Sequence, residues 1–183
     1  MNSLINSQET PVDIYHVEPP ELEAWQDVNG RYIIGGLIAD TNNSNVYDAI
    51  DGDTGERVAF KAHRIADTDM LGAFVMENFI SRAFSRNGSN VVRHIDFGIS
   101  QDYEHTFGFS VSEKMPGTMA DLIKSSPDRK LDIREFGTIA VPALEAIDEM
   151  HGVSIVHADI KPSNIFYTED NKGFINGGEV HDF

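Results

Sequence analysis

Lys61, Glu77, Asp159, Lys161, Asn164 and Asp182 are the residues of this 183-residue chain whose types and order could do chemistry together. Phosphoryl transfer needs a cation against nucleotide phosphates, carboxylate or amide oxygens for magnesium, and a group that orients the attacking hydroxyl. The chain offers each type in that order. Lys61 closes Val58-Ala59-Phe60-Lys61, and Glu77 follows sixteen positions later. The others lie in His157-Ala158-Asp159-Ile160-Lys161-Pro162-Ser163-Asn164 and in the terminal His181-Asp182-Phe183. A lysine at a strand end is usually just solvated, so Lys61 alone says little. Glu77 says more, because it interrupts an apolar helical stripe, and a charge is tolerated there when a partner matches it. Lys61 is one such partner; the alternative is a helix-edge glutamate that reaches solvent.

His157, Asp159, Lys161, Pro162 and Asn164, in this fixed spacing, resemble the catalytic loop of the protein kinases. The lysine two residues after the aspartate is similar to the serine/threonine class. Asp182-Phe183, twenty-three residues after Asp159, resembles the start of the magnesium-binding Asp-Phe-Gly motif. The resemblance covers roughly residues 31–183 and implies ATP and Mg2+ as cofactors and a protein Ser/Thr hydroxyl as acceptor. By it, Lys61 contacts the alpha and beta phosphates and pairs with Glu77. Asp159 orients or deprotonates the hydroxyl, Lys161 steadies the gamma phosphate, and Asn164 and Asp182 hold the metal. Ser112-Glu113-Lys114-Met115-Pro116-Gly117 resembles the hinge that binds adenine, which brings Glu113 and Met115 into the ATP site and puts Ser112 at the gate to a back pocket. Val46, Ala59 and Phe166 fall where the family sandwiches the adenine ring, and each is equally an ordinary core residue.

The pattern has departures. Counting back from Val46, the positions that are glycine in the family's nucleotide-covering loop are Ala39, Thr41 and Ser44, and Asp40 adds negative charge. Glycine allows close approach of backbone amides to phosphate, so these substitutions predict weak nucleotide binding. Ala158 replaces the arginine that, in kinases regulated through their activation loop, binds the phosphorylated loop. A second copy, Asp96-Phe97-Gly98, precedes the catalytic loop and follows a strand pattern, so it is read as structural. Two other readings stand beside the enzyme: a pseudokinase-like protein-interaction module, and a fragment or one half of a split kinase with little activity alone.

The elements that must position these residues follow from period and turn chemistry. Tyr32-Ile33-Ile34, Val46-Tyr47-Asp48-Ala49-Ile50 and Arg57-Val58-Ala59-Phe60-Lys61 alternate with turns and predict three antiparallel strands. From Asp69 the period turns helical, with Met70, Phe74, Glu77, Ser81 and Phe84 on one face. Val91–Ile95 and Thr106–Val111 predict two more strands. A short helix around Met119–Ile123 and a long one from Ile133 to Met150 follow, the latter capped by Asp132 and Glu135 and stopped at Gly152. Pro142 predicts a kink or break in it. Its apolar face reads as Ile133, Phe136, Ala140, Ala143, Leu144, Ile147 and Met150. Ile165-Phe166-Tyr167 and Phe174-Ile175 read as a short hairpin.

The implied fold is α+β and bilobal, like a protein kinase: a five-stranded antiparallel N-lobe with one helix (31–111), a hinge (112–117) and an incomplete helical C-lobe (118–183), after an acidic, flexible arm (1–30). With no C-lobe beyond Phe183, a protein partner is expected to cover the exposed face of helix 133–150. Lys+Arg 14 against Asp+Glu 30 gives a net charge of -16, which repels nucleic acid and anionic lipid and excludes them as main partners. Cys 0 rules out disulfides and thiolate zinc sites. The N-terminus has no signal-peptide pattern and no apolar run reaches spanning length, so a cytoplasmic location is expected.

Overall fold

A computed structural model describes residues 30–41, 44–86, 88–101 and 106–177. The acidic arm before Gly30 and the terminal Asp182 and Phe183 lie outside the described residues. Strands β1 (Tyr32–Asp40), β2 (Ser44–Asp51) and β3 (Arg57–Ile65) lead to helix α1 (Thr68–Ser85), then β4 (His94–Gln101) and β5 (Thr106–Glu113). They form one antiparallel sheet in the order β1-β2-β3-β5-β4. After it come β6 (Gly117–Thr118), α2 (Met119–Ser125), α3 (Ile133–Gly152), a 3-10 turn (Pro162–Asn164), β7 (Ile165–Tyr167) and β8 (Gly173–Ile175). The three short strands make a second sheet, β6-β7-β8.

Period-two alternation gives the large sheet two different faces. Tyr47, Ala49, Val58, Phe60, Ala62, Phe107, Phe109 and Val111 point to one, where they form a core with Tyr32. Phe60 and Phe109 stack at 5.4 Å, and burying each such ring contributes about 1.5–3 kcal/mol. Val46, Asp48, Ala59, Lys61 and His63 alternate to the opposite face. There α1 docks through Phe74, whose ring meets His63 edge-on at 4.9 Å and fills the space over Gly108. The first turn of α1 is capped by Asp67, whose carboxylate accepts the Met70 N–H.

The second core lies between α3 and the β7–β8 hairpin. Ile139, Ala140, Ala143, Ala146, Ile147 and Met150 are buried there with Met119, Ile165 and Ile175. A Cβ on Gly173 would lie 1.7 Å from the Ile139 carbonyl oxygen, so the hairpin rests directly on the helix backbone. Asp132 caps α3 by accepting from the Arg134 and Glu135 amides, as the capping signal predicts.

Four expectations change. The fourth strand runs His94–Gln101, not Val91–Ile95; the Val92 amide instead donates to the Ile175 carbonyl and Val91 bridges Ile175, tying the two cores together. On α3, Ile133, Phe136 and Leu144 are exposed, whereas Ile139 and Ala146 are buried, because the hairpin meets the face centred on Ala143. The surface expected to need a partner is therefore narrower, since Ala140 and Ile147 are already covered. The helix runs unbroken through Pro142. On α1 the fully buried positions are Phe74 and Asn78, the latter outside the expected stripe, with Met70, Glu77, Ser81 and Phe84 half-buried around them.

Candidate active site

The strand register collects the proposed nucleotide residues on one face. Residues directly opposite one another across antiparallel strands share a face. Ala39 lies opposite Val46, Val46 opposite Lys61, and Lys61 opposite Ser110, a row crossing four strands. The next row is Asp48, Ala59 and Ser112. Lys61, Val46 and Ala59 thus point away from the aromatic core, on the face to which α1 carries Glu77. Lys61 is near enough to His63 to oppose protonation of that ring, although burial is the larger reason that His63 is held neutral.

The last strand of the sheet runs two residues further than the sequence reading gives it. Ser112 and Glu113 still pair with Ala59 and Val58 as the end of β5. The Glu113 carboxylate accepts the Arg93 N–H at 2.6 Å, and Lys114 Nζ donates to Asp48 Oδ1 at 2.7 Å. Lys114 and Arg57 together hold the Asp48 carboxyl below its ordinary range. Sequence reasoning missed this Asp48–Lys114 tie. The signal available was Asp48 itself, a charge on a strand two residues after Val46. Met115 is half-buried between β5 and β6, and Phe166 pairs with Thr118 in the small sheet.

Thr41 and Ser44 close the β1–β2 loop on itself. The Thr41 amide and hydroxyl both donate to the Ser44 carbonyl, at 2.9 and 2.8 Å, and the Ser44 amide donates back to Thr41 Oγ1 at 3.1 Å. Two of the loop's amides are therefore occupied by the loop.

The loop between α3 and β7 brings three of the expected residues together. Lys161 Nζ is 2.7 Å from Asp159 Oδ2, and Asn164 Nδ2 donates to that same oxygen at 2.7 Å and to the Asp159 carbonyl at 2.8 Å. Lys161 is the main cause, and Asn164 a further one, of an Asp159 carboxyl held below the usual carboxylate range. The aspartate therefore remains an anion at neutral pH, able to accept a hydrogen bond from a hydroxyl. Since Asn164 spends its amide N–H groups on Asp159, its Oδ1 is left as a neutral oxygen donor among the described residues, which suits a hard divalent cation. Among the described residues, no three or more His, Asp or Glu side chains gather as a metal set. Ala158 sits at φ 60, a left-handed conformation that a residue with a Cβ adopts at some cost. Behind it, His157 is buried against Asn176, a contact that the sequence reading did not anticipate.

Asp96-Phe97-Gly98 is built into β4. Asp96 accepts from the Tyr32 hydroxyl at 3.0 Å and from Arg31, and Phe97 packs edge-on against Phe74 and Phe79. A side chain on Gly98 would run into the Phe109 ring at 2.5 Å. All three residues are thus accounted for by packing and hydrogen bonding, as the sequence reading expects.

Residues 32–183 match the model of the protein kinase domain. Among curated proteins, the chain is 26% identical over 150 residues to the serine/threonine-protein kinase stk11 homolog of Dictyostelium discoideum, covering 77% of this chain and 24% of that protein. It is 32% identical over 149 residues to the probable serine/threonine-protein kinase PknB of Bifidobacterium longum, covering 76% and 21%. Serine/threonine-protein kinase 10 of Danio rerio is 28% identical over 142 residues, covering 78% and 14%. The chain thus spans a quarter or less of the length of these relatives. A match over most of the chain means that the chain belongs to the protein kinase family.

Proposed function

We propose that this domain transfers a phosphoryl group from ATP, in the presence of Mg2+, to a serine or threonine hydroxyl of a protein. The observation that carries the proposal is the convergence of Lys161 and Asn164 on the Asp159 carboxylate. Asp159 accepts the hydrogen bond of the incoming hydroxyl and takes its proton as the new oxygen–phosphorus bond forms and the bond from the gamma phosphorus to the bridging oxygen of ADP breaks, ADP leaving. Lys161, already beside Asp159, offers its ammonium to the transferring group. Magnesium, when bound, neutralises charge on the phosphates; Asn164 Oδ1 and the Asp182 carboxylate are the ligands assigned to it. Lys61 holds the alpha and beta phosphates, oriented by Glu77. The backbone at Ala39, Thr41 and Ser44 covers the phosphates, Val46, Ala59 and Phe166 enclose the adenine, and Glu113 and Met115 bind its edge. The unit divides into an N-lobe over 31–111, a hinge over 112–117 and a helical C-lobe from 118.

Isothermal calorimetry with ATP, with and without magnesium, and radiolabel transfer to a Ser/Thr peptide library test this reading. Weak, magnesium-dependent binding with label on serine or threonine is expected. Binding that ignores magnesium, or label on tyrosine alone, would overturn it. A second reading, a protein-interaction module with reduced nucleotide binding, draws support from the Thr41–Ser44 closure. Label transfer decides between them. For the membrane question, no described helix is long and apolar enough to cross a bilayer.

A further inference from the structure

We propose that Asn176 is a positioning residue that fixes the Asp159 loop through the buried His157 ring. His157 is 1% exposed, and its Nε2 lies 2.9 Å from Asn176 Oδ1 and 3.2 Å from the Asn176 carbonyl oxygen. A backbone carbonyl can only accept, so Nε2 carries the ring proton and donates it to this pair of acceptors. The neutral ring then presents Nδ1 as a lone pair. Nδ1 is 3.3 Å from the Asp159 amide nitrogen, which also donates to the His157 carbonyl at 2.8 Å. The Asp159 N–H is thus shared between two acceptors of one residue, and one of them exists only in the tautomer that Asn176 selects.

The same residue reaches the other end of the loop. The Asn176 amide lies 3.4 Å from the Asn164 carbonyl, so Asn176 touches the residues that flank Asp159 on both sides. Its freedom to move is small. Gly177 follows directly, and a Cβ there would fall 1.7 Å from Ser81 Oγ on α1. The chain after Asn176 is therefore pinned against α1, with the Asn176 side chain on His157. An apolar residue at 176 would leave the ring only the longer backbone contact, weakening the hold on the Nε2–H tautomer; each ring that turns to Nδ1–H takes one acceptor from the Asp159 N–H.

The structural part of this inference stands on the contacts alone; only its catalytic consequence rests on the proposed phosphoryl transfer. The test is 15N NMR of the full chain at pH 8, where an ordinary imidazole is neutral, with His157 assigned by its loss in His157→Gln. In the unsubstituted chain the two ring nitrogens should be widely split, as for a fixed Nε2–H tautomer. In Asn176→Ala, where only the backbone acceptor remains, the splitting should narrow measurably toward the tautomer average. Exchange of the Asp159 amide should quicken roughly five- to tenfold, the size expected for one lost neutral hydrogen bond. Asn176→Asp, which restores an acceptor of the same size, should recover both readings. If the alanine variant does not fold, Asn176→Leu, close in volume and lacking an acceptor, is read in the same way. An unchanged ring splitting without the Asn176 acceptor, or no recovery in Asn176→Asp, overturns the proposal. Where the chain phosphorylates a peptide, Asn176→Ala should lower kcat while KM for ATP stays within about twofold. An inert chain would count against the proposed function and leave the NMR readings intact.

Discussion

The β1–β2 loop and the Asp159 loop use hydrogen bonds in opposite ways. In the first, Thr41 and Ser44 bond to each other, and their amides and the Thr41 hydroxyl are engaged between them. In the second, Lys161 and Asn164 both aim at one carboxylate, leaving Asn164 Oδ1 and an ionised Asp159 turned to other use. The described ends of one loop bond to each other, whereas the other gathers two side chains on a single carboxylate. The difference shows that a polar loop becomes a site through what its internal bonding leaves over.

The largest test of this contrast is substitution at the Asp159 loop and at its counterpart on the sheet. Asp159→Asn and Lys61→Met should each reduce peptide phosphorylation by about 10²–10⁴-fold. Asp96→Asn should leave activity within a few fold while lowering the unfolding midpoint, because Asp96 holds Tyr32 and Arg31. Equal loss of activity at Asp96 and Asp159 would erase the distinction between the two aspartates.

A second test uses pH, since the sheet and the Asp159 loop titrate in different windows. Burial holds His63 far below its ordinary value and pushes His94 down to about 4. Unfolding returns both rings to about 6.5, so the unfolded chain binds more protons below that pH and stability falls as pH drops. Each ring adds a slope approaching ~1.4 kcal/mol per pH unit below about pH 6. The lowered Asp159 works the same way but later. Its ion pair contributes above the unfolded aspartate value near 4 and is lost as pH falls through the lower folded value. Chemical denaturation between pH 7 and pH 4.5 should therefore show weakening that His63→Phe reduces and Asp159→Asn does not. A flat profile over that range would mean that the histidines are not held neutral by the fold.

The smallest expected effect is at the self-bonded loop. Replacing Thr41 and Ser44 together by glycine frees the Ser44 amide, whose acceptor is the Thr41 hydroxyl, and restores tolerance of positive φ, at some cost in loop order. Calorimetry should show Mg-ATP binding tightened by several fold, on the order of 1 kcal/mol. Unchanged or weakened binding would mean that the closure does not compete with phosphate.

Much of this was legible in the residues. His157 to Asn164 carry a spacing that points to the family, and the alternation in β2 and β3 places Lys61, Val46 and Ala59 on one face because adjacent residues of a strand must point to opposite sides. The caps of α3, the β7–β8 hairpin and the structural part played by Asp96-Phe97-Gly98 also follow from local pattern and order. Local pattern could not decide which of two apolar stripes on α3 is buried. Ile133, Phe136 and Leu144 are as apolar as Ile139 and Met150, and only the close rest of Gly173 on the Ile139 backbone picks the face. Nor could it find the partner of Val91 and Val92, which bond to a strand more than eighty residues away. Asn176 and Thr41–Ser44 were missed for the same reason. An asparagine after a strand, or a threonine where glycine was expected, is an ordinary residue until the fold shows which buried ring or carbonyl stands within hydrogen-bonding distance. The sequence determined the family and the order of the chain's elements; tertiary structure decided which faces are covered and which polar groups are bonded to one another, because both depend on groups far apart in the chain.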